Sequence, residues 1–129
     1  MSSTPEQFLD FSVLAHNNAE GHEFNYRNAA SRAYYAAFHC CNAEIYRCNS
    51  PGDDSLLGSH DQLYARFIAL PLSPVANILK SMTYIAIVMK TVRRKADYYL
   101  EDSFTFDESA QQIKEAQVVV RKWKELQNL

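Results

Sequence analysis

Glycine and proline are scarce in this chain, with three glycines and four prolines among 129 residues. An all-β fold needs many tight turns, and these two residue types form a large share of them. The chain also lacks an excess of positive charge, because 13 lysines and arginines against 15 acidic residues leave a net charge of −2. The composition therefore disfavours an all-β fold, and any binding of nucleic acid has to come from a local basic patch.

Cysteine is rare as well, and the three that occur, Cys40, Cys41 and Cys48, lie within nine residues. Their odd number, the lack of a Cys-x-x-Cys pair and the lack of a recognisable signal peptide are typical of the reducing cytoplasm. Small buried thiols are favoured over a zinc site that would combine these thiols with His39. The longest apolar run, "YIAIVM", is too short to span a bilayer. We therefore expect a soluble cytoplasmic protein with no metal, cofactor or membrane association.

The apolar spacing predicts helices along nearly the whole chain and no strand. With 47% hydrophobic and 22% charged residues, the chain has the composition of a globular protein and the length of one domain, residues 1–129. The sequence thus predicts an all-α fold, a compact up-and-down bundle of about five helices. We expect these helices from Thr4 to near Gly21, from about Tyr26 to Cys48, from about Leu56 to Ile68, from Val75 to Tyr99, and from Thr105 onwards.

The first and last helices open with a predicted capping box, in which a threonine and a Gln or Glu three residues later exchange hydrogen bonds. Thr4 and Gln7 provide it in "TPEQ", and Thr105 and Glu108 provide it in "TFDE". The fourth helix carries a heptad-spaced apolar seam, which favours core packing with some contribution to a dimer. The seam consists of Val75, Ile78, Met82, Ile85, Met89, Val92, Ala96 and Tyr99, and the last helix has an apolar stripe of Ile113, Ala116, Val120 and Trp123.

The segment "NAASRAYYAAFHCCNAEIYRC", residues 28–48, sorts into three faces on a helical wheel. The first is a predicted core face of Ala30, Tyr34, Ala37, Cys41, Ile45 and Cys48. The second is a small-residue flank that allows close approach of another helix, formed by Ala29, Ala33, Ala36, Cys40 and Ala43. The third face, called the polar line below, has a side chain that can form hydrogen bonds at every position. It consists of Asn28, Arg32, Tyr35, His39, Asn42 and Tyr46.

The polar line is the main candidate functional site. Solvated helix faces are usually rich in Glu and Lys, and the polar line contains neither. Arg, His, Tyr and Asn are side chains that bind phosphate and transfer protons. The alternatives are a solvated face, or a buried network in which Arg32 pairs with a carboxylate.

A basic segment, "KTVRRKADYY", ends the fourth helix with Lys90, Arg93, Arg94 and Lys95. Cations at this end complement the helix dipole, which is the ordinary explanation. The functional interpretation is a phosphate-binding patch beside tyrosines that stack on bases. Asp97 would orient Arg32 or His39 if the two helices meet at its level. The other histidines, His16, His22 and His60, lie near helix ends and are assigned no role.

The run "SRAYYAAFH" and the later segment "RRKADYYLEDSFTFDESAQQIKEAQVVV" resemble the HEPN superfamily of higher eukaryotic and prokaryotic nucleotide-binding domains. The resemblance covers the order and length of nearly all the helices. It is carried by a Tyr-Tyr-Ala-x-Phe-His run and an Arg-x-x-Ala-Asp-Tyr run. It implies a helical bundle that commonly dimerises. Many members are metal-independent RNA endonucleases of toxin–antitoxin and phage-defence systems, often paired with a small nucleotidyltransferase.

The family's signature is an arginine, four to six residues, and then a histidine, and Arg32 and His39 enclose six residues. The resemblance thus implies Arg32 and His39 as catalytic residues, in a cleft shared by two subunits. The expected substrate contacts are Asn28, Tyr35, Asn42, Arg93, Arg94 and Tyr98. Two other functions stay open, namely a non-catalytic module that binds a nucleotide or nucleic acid, and an interaction subunit that partners a nucleotidyltransferase.

Overall fold

The structure, a computed structural model, describes residues 3–48 and 58–129 of the chain. These two ranges contain five α-helices, one short 3-10 helix and no strand, so the predicted all-α bundle of five helices is confirmed. The helices are α1 (Pro5–Asn17), α2 (Glu23–Asn42), α3 (Ser59–Ile68), α4 (Pro74–Tyr98) and α5 (Phe106–Leu126), with the 3-10 helix at Ile45–Arg47.

Helix α1 begins where the sequence predicts and ends earlier. Thr4 Oγ1 accepts the Gln7 N–H at 3.3 Å, and Gln7 Oε1 accepts the Thr4 N–H at 2.8 Å, which confirms the capping box. The predicted end near Gly21 is wrong, because the helix stops at Asn17. Glu20 and Gly21 have φ values of 53° and 79°, which a right-handed helix does not allow. The four residues up to Gly21 therefore form the turn into α2.

Helix α2 also ends earlier than the predicted Cys48, at Asn42. The cause is Glu44, whose side chain is turned inward and is 3% exposed. Its carboxylate accepts a hydrogen bond from Gln127 Nε2 at 2.7 Å and lies 3.6 Å from Arg47 Nε. The bond from Gln127 satisfies this buried acid and so stabilises the chain in the 3-10 turn, whereas Arg47, three residues on, would be within reach in an α-helix as well.

Because α2 ends at Asn42, the predicted faces are wrong for the residues that follow it. Ile45, expected in the core, is 40% exposed, and Cys48 is half-buried at the edge of the core. Ala43, expected on the small-residue flank, is exposed, and so is Tyr46 of the polar line. Up to Cys41 the prediction holds, since both apolar faces are buried there.

Helix α3 ends at Ile68 as predicted, and the predicted start at Leu56 lies outside the described residues. Helix α4 follows the predicted bounds to within one residue, and Ser73 Oγ caps it by accepting the Ala76 N–H at 3.0 Å. Tyr99, expected to close the apolar seam, is instead 50% exposed beyond the helix end. Helix α4 packs against α2, α3 and α5, so its buried face is wider than one heptad seam. The buried residues are Ala76, Leu79, Met82, Thr83, Ala86, Met89, Arg93 and Ala96.

Helix α4 also has the length and apolar composition of a helix that could cross a membrane. The mean hydropathy of the relevant 18-residue window is 1.2, and 33% of that window is buried inside the bundle. The core helix of a soluble protein passes the same test, so this is weak evidence.

Helix α2 is the centre of the bundle and packs against α1, α4 and α5. Its small residues Ala29, Ala33 and Ala36 are fully buried, which lets the neighbouring backbones come close. Ser12 Oγ of α1 donates a hydrogen bond to the Ala29 carbonyl at this contact. The main core is formed by larger apolar side chains, which include Tyr34, Leu63, Phe67, Leu79, Met82, Met89, Ile113 and Val119.

A buried arginine that the sequence analysis did not single out joins the start of α2 to the end of α4. Arg27 is 6% exposed, and its Nη2 lies 2.9 Å from Glu23 Oε1. Its guanidinium donates hydrogen bonds to four backbone carbonyls that follow or close the last turn of α4, those of Lys95, Ala96, Tyr99 and Asp102. Helix ends leave their last carbonyls without partners inside the helix, so Arg27 acts as a cap supplied by another helix. The Lys95 carbonyl differs from the others in that it also accepts the Tyr99 N–H at 3.1 Å.

Candidate functional site

The polar line of α2 is neither fully solvated nor buried. Arg32, Tyr35 and His39 are half-buried and close together, because residues three and four apart share one face of a helix. Asn28 is half-buried one turn earlier, and Asn42 is exposed at the helix end. Neither asparagine takes part in the contacts that connect the other three residues. The structure thus brings together the central part of the predicted site.

Arg32 carries a charge without a carboxylate partner among the described residues. Its Nη2 donates one long hydrogen bond of 3.4 Å to Ser31 Oγ, and its buried Nε makes none. The guanidinium lies 4.8 Å from the centre of the Tyr35 ring, a cation–π contact. Arg32 also lines a mostly apolar groove of about 220 Å³ with Ser3, Gln7, Phe8 and Phe11. An unpaired, partly buried cation is costly, and an anion bound beside it would offset that cost.

A second guanidinium approaches the same tyrosine from α4. Arg93, 8% exposed, lies 5.7 Å from the Tyr35 ring centre and 5.3 Å from that of Tyr34. Its Nη1 is 3.7 Å from Asp97 Oδ2, and its Nε is buried without a hydrogen-bond partner. Within the part of the chain that the structure describes, two cations therefore lie around Tyr35 with a single carboxylate, which is paired with Arg93, and this leaves the site locally positive.

Asp97 is connected to Arg32 only through Ser31. Its Oδ2 accepts a hydrogen bond of 3.2 Å from Ser31 Oγ, which in turn accepts the long bond from Arg32. The sequence analysis expected Asp97 to orient Arg32 or His39 if α2 and α4 meet at this level. The helices do meet there, and the direct ion partner of Asp97 is Arg93.

His39 is half-buried, and its ring nitrogens make no hydrogen bond within residues 3–48 and 58–129. Its ring contacts the rings of Phe8 and Phe38, with centroid distances of 4.8 and 5.3 Å, and lies 6.3 Å from that of Tyr35. Burial and, secondarily, the Arg32 cation lower the pKa of His39 below its ordinary value. A neutral imidazole with free nitrogens is able to accept and return a proton near neutral pH.

The basic segment of α4 is divided between the core and the surface. Arg93 is buried, whereas Arg94 is exposed and makes no contact with the polar line. Tyr98 is 67% exposed, and the centre of its ring lies 5.9 Å from the Arg93 guanidinium. A shallow depression of about 440 Å³ is lined by Lys90, Arg93, Arg94, Tyr98 and Tyr99. It presents cations and aromatic rings next to Arg32, Tyr35 and His39, which we call the Arg32 cluster.

His60, to which the sequence analysis assigned no role, belongs to the site. Its Nδ1 lies 2.7 Å from Tyr34 Oη, and its ring stacks on Phe38 with centroids 3.9 Å apart. Tyr34 Oη is in turn 2.7 Å from Tyr64 Oη. No local pattern in "GSHDQ" indicates this position, because it depends on how α3 packs against α2 and α4.

Among the described residues, no group of three or more His, Cys, Asp or Glu side chains has the arrangement of a metal site. Cys40 and Cys41 are fully buried, and Cys48 is half-buried. Burial raises the pKa of Cys41 to about 12, which keeps this thiol protonated and unreactive. The two inner cysteines therefore serve as small core residues.

Comparison of the chain with protein-family models, with curated proteins and with solved structures gave no match. The HEPN assignment stays a prediction that rests on the residue pattern described above. The function has to be argued from the site itself.

Proposed function

We propose that this protein is a metal-independent endoribonuclease of the HEPN type, acting in a toxin–antitoxin or phage-defence system. The observation that carries the proposal is the pairing of Arg32 with His39 on one face of α2. Within the described residues the arginine has no carboxylate partner, and the histidine has no hydrogen bond on its ring. A phosphodiester would supply the missing anion, and its cleavage would use the free imidazole.

The proposed reaction is attack of the RNA 2′-hydroxyl on the adjacent phosphorus. Arg32 stabilises the charge that develops on the phosphoryl oxygens, as a preorganised cation does in a partly buried site. His39 transfers a proton during the same step. Tyr35 keeps the Arg32 guanidinium in place through the 4.8 Å cation–π contact. These side chains perform the reaction without a metal ion.

The remaining polar residues would bind the rest of the RNA. Arg93, Arg94 and Tyr98 line the shallow depression beside the Arg32 cluster and offer cations for phosphates and a ring for a base. Asn28 and Asn42, at the two ends of the polar line, would contact the flanking nucleotides.

We further propose that the protein is a cytoplasmic homodimer and that its antitoxin is of the nucleotidyltransferase type. An exposed apolar row on α4 supports a protein contact, because Tyr84, Ile87 and Val88 are 55, 37 and 63% exposed. In the dimer the two copies of the polar line would face one cleft. Val88→Glu is expected to convert the dimer to a monomer in sedimentation analysis, and an unchanged mass would contradict this surface.

The second candidate is a non-catalytic module that binds a nucleotide or nucleic acid. It is supported by the guanidiniums of Arg32 and Arg93, which both contact the Tyr35 ring. Two such cations would bind phosphate whether or not an imidazole is present. The third is an interaction subunit for a nucleotidyltransferase, in which the apolar row on α4 is the contact surface.

The deciding experiment is incubation of the purified protein with a mixed RNA pool in EDTA. Wild type is expected to cleave RNA and to leave cyclic-phosphate ends, whereas Arg32→Gln and His39→Asn are expected to be inactive. Lys114→Gln, an exposed position on α5, is the matched control and should cleave like wild type. Folded wild type that does not cleave would contradict the nuclease. Nucleotide binding that survives His39→Asn and is lost in Arg32→Gln would then favour the binding module.

A further inference from the structure

His60 is held in a fixed orientation at the start of α3, where it is the second residue of the helix. One face of its ring stacks on Phe38, with an interplanar angle of 20°. Its Nδ1 shares a 2.7 Å hydrogen bond with Tyr34 Oη, which is itself fixed by Tyr64. The ring is half-buried, and Nε2 is the nitrogen left for a substrate.

His39 and His60 come from different helices and contact the same two aromatic rings. Their centroids lie 5.3 and 3.9 Å from that of Phe38, and 6.3 and 6.1 Å from that of Tyr35. The Arg32 guanidinium lies 4.8 Å from the centre of the Tyr35 ring, so this cation and the two imidazoles surround the same ring. Two histidines around one ring, with an arginine that has no carboxylate partner among the described residues, form an arrangement suited to a proton donor and a proton acceptor.

Burial lowers the pKa of both rings, but the charges and helix ends around them differ. His60 lies in the first turn of α3, where the helix dipole disfavours a cation, and Lys90, Arg93 and His39 act in the same direction. Asp61 opposes them, but its carboxylate is paired with Lys90 at 2.9 Å. Burial, followed by these cations, lowers the pKa of His60.

His39 lies in the last turn of α2, where the dipole favours the imidazolium. Burial and Arg32 act against that form, and within the described residues no second cation from another helix does so. More of its surroundings therefore keep His60 neutral and ready to take a proton, whereas the end of α2 favours the charged form of His39 that gives one.

We propose that His60 is a second catalytic histidine, the general base of the cleavage reaction, and that His39 is the general acid. This inference rests on the proposed ribonuclease function. His60 donates its Nδ1 hydrogen to Tyr34 and takes the proton of the 2′-hydroxyl on Nε2. The bond between O2′ and phosphorus forms as the bond between phosphorus and O5′ breaks. The His39 imidazolium gives its proton to O5′, so the products are a 2′,3′-cyclic phosphate and a free 5′-hydroxyl.

The test uses two short RNA substrates that differ at one atom of the cleaved bond. One is ordinary RNA, and in the other the leaving O5′ is replaced by sulfur, which departs as a thiolate and needs no general acid. His60→Asn is the informative variant, because the asparagine side chain can keep the hydrogen bond to Tyr34 but has no equivalent of Nε2. His22→Asn is the matched control, since His22 is exposed at the N-terminal cap of α2.

We expect His60→Asn to slow cleavage of both substrates by about 100-fold or more, the usual contribution of a general base. We expect His39→Asn to slow cleavage of ordinary RNA to a similar extent and to cleave the sulfur substrate within about tenfold of wild type. The pH–rate profile of wild type should be bell-shaped, and His60→Asn should lose the fall in rate on the acidic side. His22→Asn should match wild type throughout.

Three results would overturn the inference, and circular dichroism would first establish that each variant is folded. His60→Asn that cleaves ordinary RNA like wild type would exclude His60 from the reaction while leaving the nuclease intact. Recovery of His60→Asn on the sulfur substrate would make His60 the acid, contrary to the proposal. Wild type that cleaves neither substrate would refute the proposed function itself, and the role of His60 with it.

Discussion

Replacement of Arg27 by alanine is expected to weaken the fold far more than a change at a surface arginine. The substitution removes the donor for four carbonyls at the end of α4. The carbonyls of Lys95 and Ala96, each 3.0 Å from Nη1, dominate the loss because Arg27 covers them, although the Lys95 carbonyl keeps the Tyr99 N–H at 3.1 Å. Tyr99 is half-exposed, so its carbonyl can be hydrated. The ion pair with Glu23 adds little, because that carboxylate is half-exposed.

The expected magnitude follows from the two covered bonds. A buried hydrogen bond to a charged donor contributes about 1.5–3 kcal/mol, so two of them give about 3–6 kcal/mol. Because the Lys95 carbonyl keeps the Tyr99 N–H when Arg27 is removed, we expect a loss in the lower half of that range, about 3–4 kcal/mol in the free energy of unfolding. For a domain of this size that corresponds to a fall of roughly 10 °C in Tm. Since small domains are stable by about 5–15 kcal/mol, most of the variant would still be folded at room temperature.

Urea unfolding followed by circular dichroism would measure the loss. If the slope of unfolding free energy against urea concentration is the same as in wild type, the variant exposes the same amount of surface on unfolding. Arg94→Ala is the matched control at an exposed site of α4 and should lie within about 0.5 kcal/mol of wild type. Arg27→Lys keeps the positive charge but has one amino nitrogen in place of the forked guanidinium. Its free energy of unfolding should therefore lie between those of Arg27→Ala and Arg94→Ala. A loss below about 1 kcal/mol in Arg27→Ala would refute the capping role.

Three further results are expected from the packing and protonation of other side chains. The lowered pKa of His60 means that the unfolded chain binds its proton more readily, so stability should fall as the pH drops below about 6.5, and urea unfolding should show a smaller fall in His60→Asn. A thiol reagent should modify Cys48 in the native protein and the fully buried Cys41 only after unfolding, as mass spectrometry of the labelled peptides would show. Leu79→Ala should cost about 2–5 kcal/mol of unfolding free energy because Leu79 is 1% exposed, whereas Leu72→Ala, at 80% exposure, should change it by less than about 0.5 kcal/mol.

The helices and their buried faces could be predicted because local rules determine them. The capping boxes predicted at Thr4 and Thr105 mark helix starts in the sequence, and both helices begin there. The full box is formed at Thr4, whereas at Thr105 only the threonine half is formed, because Oγ1 accepts the Glu108 N–H and the Glu108 carboxylate accepts the Thr105 hydroxyl at 3.4 Å instead of the Thr105 N–H. The apolar faces of α2 are buried as their spacing indicates up to Cys41. Beyond that point the prediction fails, because the end of α2 depends on Glu44 and its contact with Gln127, 83 residues later in the chain.

In the candidate site, too, some features follow from local sequence and others depend on contacts between helices. Arg32, Tyr35 and His39 could be grouped from the sequence because they lie on one helix face. Arg93 is expected at the site from the sequence, but its contact with Tyr35 and the contribution of His60 depend on how α4 and α3 pack against α2, which no local pattern records. A sequence pattern also does not distinguish Arg27 from Arg32, although one is satisfied by carbonyls and the other has an unpaired charge.

The hydrogen-bonded chain from Tyr64 through Tyr34 to His60 has a consequence for how this protein would change under selection. Tyr34 and Tyr64 are almost fully buried, and their hydroxyls bond to each other inside an otherwise apolar core. Replacing both partners of such a buried bond with phenylalanine is often neutral or stabilising. Variants chosen only for heat resistance would therefore tend to lose these hydroxyls, and His60 would lose the bond that orients it. Laboratory evolution for thermal stability alone is expected to keep this fold and lose the proposed activity.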